Sequence, residues 1–377
     1  MKEINNTVVV TATSLIGGGG LTILNQFIGS CNDNCVYHLF ISEQLHGVDE
    51  KSNVKIYKVP RPSSFQRVIW DSYRLRVTVE SLGIKPDVIV CLQNTTIRYP
   101  GVPKVIYLHQ GISLSEFKWS FLKVSERNLA FYRYVYPFFI FLHNDEMTHF
   151  VVQTNWMKEA LLSQFSIENS HVKVIKPSIA RIESIDNRDI KESLPPCVIK
   201  HDISLFYPAT PELFKEHLLV IRALKEIQSY KCISNIGLYI TVDKGESKVI
   251  DSEVKKLGLS DNVVYMGRIS FDEVQEMYET ASALVFPSKI ESFGLPLIEA
   301  AVRGRKIIAS DTCFSRELLS EYDGVEYVNN NIKCWADSID SLCSNRDFKY
   351  KKYRPCFDTS WSDFFKLLDD LGEVNGV

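Results

Sequence analysis

The sequence predicts an α/β protein built from two successive doubly wound, Rossmann-like parallel-sheet domains. Three observations predict it. Short β-branched apolar runs alternate with segments of helical spacing along nearly the whole chain. The alternation breaks in the polar stretch "ESIDNRDIKESLPPCVIKHD" (Glu183 to Asp202), which carries Pro195-Pro196 and reads as an interdomain linker. The length, 377 residues, suits two domains of ordinary size. The expected domains cover 1–185 and 200–355, with a terminal segment over 356–377.

In the first domain, "NTVVVTATS" (Asn6 to Ser14) reads as a strand, the glycine run Gly17–Gly20 as a turn, and "LTILNQFIGS" as a helix. "CVYHLFIS" and "VKIYKVP" follow as strands, and "SFQRVIWDSYRLRVTVESLG" as one helix ending at Gly83. "PDVIVCLQN" and "KVIYLHQG" are short apolar runs ending in polar residues, as buried parallel strands do. "FVVQTNWMKEALLSQF" predicts strand then helix, and "HVKVIKPS" a last strand. After the linker the rhythm restarts with strand "ISLFYPAT", helix "FKEHLLVIRALKEIQSY" and strand "IGLYITVD". Helix "ESKVIDSEVKKLG", strand "NVVYMG", helix "SFDEVQEMYETA", strand "ALVFPS" and strand "RKIIASD" complete it. Two such series place a ligand cleft at strand C-terminal ends.

Bulk properties exclude several classes. No apolar run reaches the roughly 18–20 residues that span a bilayer, and the start lacks the charged-then-apolar pattern of a secretory signal, so a cytosolic chain is expected. The nine cysteines include no CxxC pair; "CNDNC" (Cys31, Cys35) has no companion pair for zinc, and reduced thiols are expected. A net charge of −3 argues against a nucleic-acid partner. Residues 1–180 carry 18 basic and 14 acidic side chains and the rest 25 and 32, so the mildly basic front half suits an anionic surface or ligand.

The stretch "SKIESFGLPLIEAAVRG" (Ser288 to Gly304) holds two acids, Glu291 and Glu299, separated by seven residues. Pro296 suits the first turn of a helix that stops near Gly304, which leaves Glu291 in the preceding loop and Glu299 in about the first turn. Eight residues of helix rise roughly 12 Å, a poor spacing for one hard cation and for a carboxylate pair about 5–5.5 Å apart; an inverting separation stays open. Hydroxyls at both ends of a ligand and an anion between them fit better. The amides of Phe293, Gly294 and Leu295 near a helix start form an anion seat, and each carboxylate accepts hydrogen bonds from a diol. A nucleotide-sugar has that layout.

The region "FPSKIESFGLPLIEAAVRGRKIIASD" closely resembles the E-x7-E signature of the retaining glycosyltransferases of family 4, which have the two-domain GT-B fold. "VVYMGRISFDEVQEMYETASALVFPS" resembles the family's preceding strand–helix–strand, and "VVQTNWMKEALLSQF" with "VKVIKPSI" the end of its first domain. "SWSDFFKLLDDL" at Trp361 resembles the terminal helix that crosses back to the first domain. The resemblance is strong over most of 200–330 and looser before it. It implies transfer of a sugar from a nucleoside-diphosphate-sugar to an acceptor hydroxyl with retention, in polysaccharide or lipopolysaccharide assembly, with no metal and no cofactor. An epimerase or phosphorylase on the same fold and a non-catalytic sugar-nucleotide binder are the alternatives.

Carried onto this sequence, the resemblance sets Glu299 on the ribose, Glu291 beside the donor sugar, and the loop amides from Ser292 to Leu295 on sugar and phosphate. Lys215, in "FYPATPELFKEH", matches the family's diphosphate lysine. As a residue opening a helix it stands against the dipole, which marks it for another role. The family's preceding arginine is absent; Thr210 falls near its place, and Arg268, after Gly267 in "YMGRIS", is the candidate substitute. Gly17, Gly18, Gly19 and Gly20 offer amides near a helix start, at the family's glycine-rich turn facing the diphosphate. They do not form GxGxxG with an acidic ribose binder, which argues against a nicotinamide site. His109 ends strand "VIYLHQG", where the family commonly has a histidine near sugar and acceptor. The catalytic set is thus Glu291, His109 and Lys215.

"KWSFLKVSERNLAFYRYVYPFFIFLH" (Lys118 to His143) interleaves basic and aromatic residues, which suits either core helix or a membrane interface. "QRVIWDSYRLR" adds Arg67, Arg74 and Arg76. The family's first domain binds the acceptor, often lipid-linked, so the resemblance implies a glycan or lipid-linked glycan partner, with a peripheral position at the cytoplasmic membrane face.

Overall fold

In the computed structural model, which describes residues 6–46, 51–179, 199–229, 236–344, 350–355, 357 and 359–375, the chain divides into two compact units, one of Met1–Ser178 with Phe357–Val377 and one of Ile179–Cys356. Most of the predicted linker, including Pro195 and Pro196, lies outside the described residues.

The first unit is a parallel sheet of seven strands. They are β1 (Asn6–Ala12), β2 (Cys35–Ser42), β3 (Val54–Val59), β4 (Val88–Cys91), β5 (Lys104–Leu108), β6 (Thr148–Val152) and β7 (Val172–Val174), in the order β3-β2-β1-β4-β5-β6-β7. The chain runs outward from β1 and then returns to its other side with β4, so the order reverses between these two strands. Successive side chains alternate across the sheet. Val8 and Val10 join the core beneath α1 (Gly18–Ser30), while Val9 joins the opposite core with Phe40, Trp70, Leu75 and Phe150. The first core also receives the C-terminal helix, Trp361–Asn375. Trp361 stacks on Tyr107 at 5.3 Å between centroids, and its indole N–H donates to Gln26 Oε1 at 2.9 Å.

The helix predicted up to Gly83 is present but not uniform. It runs as α2 (Ser64–Ile69), a π-helical turn (Trp70–Arg74) and α3 (Leu75–Ser81). The wider turn lets the consecutive Trp70 and Asp71 both face inward, which a regular α-helix, turning about 100° per residue, does not favour. A second π-helical turn, Phe131–Val135, joins α4 (Arg127–Ala130) to α5 (Tyr136–Phe141). Helix α6 (Asn155–Gln164) follows β6 as expected.

The second unit has six parallel strands in the order β10-β9-β8-β11-β12-β13, reversing between β8 and β11. They are β8 (Ile203–Tyr207), β9 (Ile236–Ile240), β10 (Val263–Tyr265), β11 (Ala283–Phe286), β12 (Ile307–Ser310) and β13 (Val325–Val328). Its helices are α7 (His217–Gln228), α8 (Lys248–Leu257), α9 (Phe271–Thr280), α10 (Leu295–Ala301), α11 (Cys313–Leu319) and α12 (Ile332–Ser341). Local chemistry sets several ends. Gly258 closes α8 at φ 71°. Ser270 and Glu273 exchange side-chain to backbone bonds in a capping box that opens α9. Strand β13, mostly half-exposed at the sheet edge, carries too little apolar patterning to announce itself.

Phe364 is fully buried against Phe27, Tyr107 and Trp361. Phe364→Ala is expected to cost about 3–5 kcal/mol, read as a lowered urea midpoint with an unchanged slope.

Candidate functional site

In the second unit the candidate side chains on the loops after β8 and β11 stand where these strands part, the position at which open α/β sheets bind ligands. Beyond β8 the chain makes a 3-10 turn, Leu213–Lys215, and Glu216 then takes the left-handed conformation, φ 55° and ψ 35°, before α7 begins. Lys215 therefore lies in a turn rather than at the head of a helix, as its sequence setting had implied. The left-handed backbone costs a non-glycine residue about 1–2 kcal/mol. The Tyr207 hydroxyl donates to the Lys215 carbonyl at 2.6 Å.

The loop after β11 meets this turn. The Lys289 amide donates to the Phe214 carbonyl at 2.9 Å, and the fully buried Ser288 donates to the Ile290 carbonyl at 3.1 Å. Lys215 Nζ donates to Glu291 Oε1 at 2.6 Å, and both side chains are largely shielded, 16% and 14% exposed. Lys289 and Glu216 form a second pair at 2.5 Å between the same two segments. The adjoining His217 is buried beside Tyr207, and burial holds its pKa at about 4.

Gly294, at φ 98°, turns the chain into α10, with Pro296 in the first turn. A Cβ at Gly294 would meet Leu297 and Leu318 only in ordinary contact, at 3.4 and 3.5 Å, so the left-handed φ is what favours glycine there. Helix α10 starts at Leu295, so Glu299 occupies its second turn rather than the first. Glu299 Oε2 accepts the Tyr278 hydroxyl at 2.7 Å. Arg303 braces this corner. Its Nη1 donates to the Glu299 carbonyl at 2.6 Å, and its guanidinium lies 5.6 Å from the Tyr278 ring centroid. Glu291 and Glu299 thus have different partners, a cation for one and a phenol for the other. Ser292 and Phe293 lie between them, with Phe293 buried.

Arg268 is the candidate substitute for the absent arginine. It follows β10, the outermost strand, is 83% exposed, and lies 3.7 Å from Glu246. Gly267 before it has φ 69°, and a Cβ there would meet Asp243 Oδ1 at 2.5 Å. Thr210 is exposed. The further cation at the turn is Lys289, which no motif singles out in the sequence although it stands two residues before Glu291. Among the described residues, no group of three or more His, Cys, Asp or Glu is placed to hold a metal ion.

The first unit has its own switch point, between β1 and β4. Gly17 caps α1, and Gly18, Gly19 and Gly20 form its first turn, so the glycine run is largely helix rather than free loop. A Cβ on Gly20 would sit 3.0 Å from Leu15 Cδ2 and 3.7 Å from His109 Cε1. His109 follows β5. Its amide donates to Asn94 Oδ1 at 2.7 Å, and its Nε2 lies 3.0 Å from the Leu92 carbonyl and 3.3 Å from Asn94 Nδ2. A carbonyl only accepts, so the shorter contact assigns the proton to Nε2 and leaves Nδ1 as the acceptor nitrogen. Burial lowers the His109 pKa to about 4.

Beside it lies a buried network that no sequence pattern announced. Gln93 donates to Asp71 Oδ1 at 3.0 Å and Thr95 to Oδ2 at 2.8 Å, while Thr13 donates to Gln93 at 3.0 Å. Burial pushes the Asp71 carboxyl up to about 6, against the opposing pull of Arg67. Arg67 donates to the Gln93 carbonyl and to Thr95 Oγ1 at 3.1 Å, so it turns inward, unlike the exposed Arg74 and Arg76 of the same basic stretch. The basic-aromatic segment divides. Tyr136 and Ile140 are buried, whereas Phe121, Leu122, Val124, Tyr134 and Phe138 are exposed, Leu122 at 91%. Among the described residues no helix is long and apolar enough to cross a membrane.

Two Rossmann-like parallel-sheet units are also the fold of solved GT-B glycosyltransferases. WaaG, a glycosyltransferase involved in lipopolysaccharide biosynthesis, aligns with a TM-score of 0.60 at 14% identity, covering 91% of this chain and 96% of its own. Anabaena HepE, solved with UDP and glucose, aligns at 0.58 and 14% over 90% of each chain. Residues 200–355 match the family model of glycosyl transferases group 1. The O-antigen chain mannosyltransferase RfbU of Salmonella typhimurium is 25% identical over 195 residues, 52% of this chain and 50% of that protein. The serotype-specific mannosyltransferase WbdA of Escherichia coli is 31% identical over 123 residues, 32% of this chain and 15% of that protein. The chain thus spans half or less of the length of these curated relatives.

A neutral His109 has a measurable consequence. Its folded pKa of about 4 lies below the ordinary value near 6.5, so the unfolded chain binds the extra proton between these values. The resulting stability is full above pH 6.5 and falls away as pH drops toward 4. The His109 imidazole carbon resonance should stay in its neutral position down to about pH 5, and His109→Gln should lessen the loss of stability over that window, with buried His217 still contributing its share.

Proposed function

We propose that this protein is a retaining family 4 glycosyltransferase, moving a sugar from a nucleoside-diphosphate-sugar to an acceptor hydroxyl in O-antigen or related polysaccharide assembly. The observation that carries the reading is the shielded Lys215–Glu291 pair at the switch point, inside the segment that matches group 1 glycosyltransferases. The mannosyltransferase relatives and the UDP-bound neighbour support the substrate class.

In this reading the second unit holds the donor. Breaking the glycosidic bond leaves negative charge on the departing diphosphate and positive charge on the sugar. Lys215, with three ammonium donors, keeps one on Glu291 and directs others to a phosphate oxygen, taking up the leaving-group charge electrostatically. The turn from Ser292 to Leu295 presents backbone to the same anion, and Glu299 takes the ribose hydroxyls once Tyr278 shares it. Glu291 stays beside the sugar, where its carboxylate favours oxocarbenium character. No protein nucleophile and no metal ion enter this scheme. The first unit receives the acceptor, with neutral His109 Nδ1 accepting from a sugar hydroxyl. The exposed Leu122, Phe138 and neighbouring Lys118 and Lys123 suit a peripheral seat on the anionic cytoplasmic membrane face.

A thermal-shift panel of UDP-, GDP-, ADP- and dTDP-sugars tests the donor site; at least one should raise the melting temperature, and a flat panel overturns the assignment. Glu299→Ala should weaken binding of that donor about tenfold, or about 1.4 kcal/mol, while Glu291→Ala should mainly slow transfer. Donor binding without transfer to any glycan would instead identify a non-catalytic sugar-nucleotide binder.

Membrane seating is checked by co-sedimentation with phosphatidylglycerol vesicles. The wild type should pellet at low salt, and a Leu122→Ser/Phe138→Ser variant should remain mostly in solution. A wild type that stays in the supernatant removes the membrane from the proposal.

A further inference from the structure

The turn that carries Lys215 has a feature that donor contact leaves unexplained. Among the described residues, Asn94 and Glu216 are the non-glycine positions with positive φ. Asparagine tolerates that region, whereas glutamate has no intrinsic reason to occupy it and glycine would hold it freely. The Glu216 side chain supplies a reason. It receives the Lys289 ammonium at 2.5 Å, and the Lys289 amide donates to the Phe214 carbonyl at 2.9 Å. One residue of the β11 loop therefore grips the turn on both sides of Lys215, at 214 through backbone and at 216 through charge.

The second pair runs the opposite way. The β8 turn contributes Lys215 to Glu291 and Glu216 to Lys289, so each segment offers one cation and one anion. Residues 215 and 216 are neighbours, and the 289–216 bond restricts the backbone from which the Lys215 side chain departs. The Tyr207 hydroxyl on the Lys215 carbonyl closes the remaining side. Partial shielding, with Lys289 28% and Glu216 23% exposed, distinguishes the pair from fully solvated surface ions.

We infer that Glu216 and Lys289 are positioning residues whose ion pair locks the left-handed turn that aims Lys215; the inference rests on the reading of Lys215 as a diphosphate contact. Lys289 acts through Lys215 and the turn, not as a ligand to the diphosphate. Removing it frees the turn and leaves Glu216 without its counter-charge.

The test is calorimetric binding of UDP, GDP, ADP and dTDP to the full chain. Lys289→Met should weaken the nucleotide that binds wild type about tenfold. The exchanged pair Glu216→Lys/Lys289→Glu should restore binding to within about threefold, because the bond survives with its ends reversed. In a Lys215→Ala background, Lys289→Met should have no further effect. Wild-type affinity in Lys289→Met, failure of the exchanged pair, or an equal loss in the Lys215→Ala background overturns the inference, the last by making Lys289 a direct contact. Hydrogen exchange separates this inference from the donor reading. If wild type binds none of these nucleotides, the donor reading fails on its own, and the Lys215 and Glu216 amides, which donate to Glu212 and Leu213 carbonyls, then decide. Faster exchange of both in Lys289→Met supports the lock, and unchanged exchange overturns it.

Discussion

The divergence of β8 and β11 is the constraint on which the candidate donor site depends. Parallel strands at a switch point lie side by side, yet their continuing chains leave toward opposite edges of the sheet. That divergence opens a place for a ligand and removes the packing that would otherwise hold the two loops together. Here the gap is spanned by Lys215–Glu291 and Lys289–Glu216 and by one backbone bond, Lys289 to Phe214. Ion pairs at partial exposure contribute modestly on their own. The backbone bond and the Tyr207 hydroxyl on the Lys215 carbonyl therefore carry much of the geometric constraint, while the charges choose the conformation.

The first unit answers the same topological problem with neutral groups. After β4, the left-handed residue is Asn94, whose amide side chain orients His109 through its backbone N–H and lies beside its ring. Burial keeps that imidazole neutral. The adjoining Asp71 is kept close to its titration range by burial, with Arg67 opposing. The π-helical turn at Trp70–Arg74 brings Asp71 inward in the first place, so a local departure from α-helical geometry serves a polar network rather than the apolar core alone. One switch point is thus built around two lysine–glutamate pairs, and the other around a neutral imidazole with an aspartate–arginine network beside it.

Much of this was legible in the sequence. Fully buried parallel strands read as unbroken apolar runs such as "VVVTA" and "VIVC" because both faces of the sheet are covered. Gly258 and the Ser270–Glu273 box marked helix ends because those bonds form within a few residues. The placement of Glu291 before a helix and Glu299 within it followed from Pro296. The π turns were hidden because one inserted residue barely disturbs apolar spacing over a long helix. The 3-10 turn at Leu213–Lys215 was hidden because "LFKEHLL" reads equally well as continuous helix.

The sequence by itself determined the two αβ series and the strand and helix inventory around the site, set by interactions within a few residues, while the candidacy of Lys215, Glu291, Glu299 and His109 drew also on the resemblance to a known family. Only the tertiary structure decided their partners. Glu291 meets a lysine 76 positions away, Glu299 meets Tyr278, Arg67 turns inward, and Lys289 stands at the Lys215 turn. These choices depend on which strands lie adjacent and on what each loop buries, and neither is written in the spacing of residues along the chain.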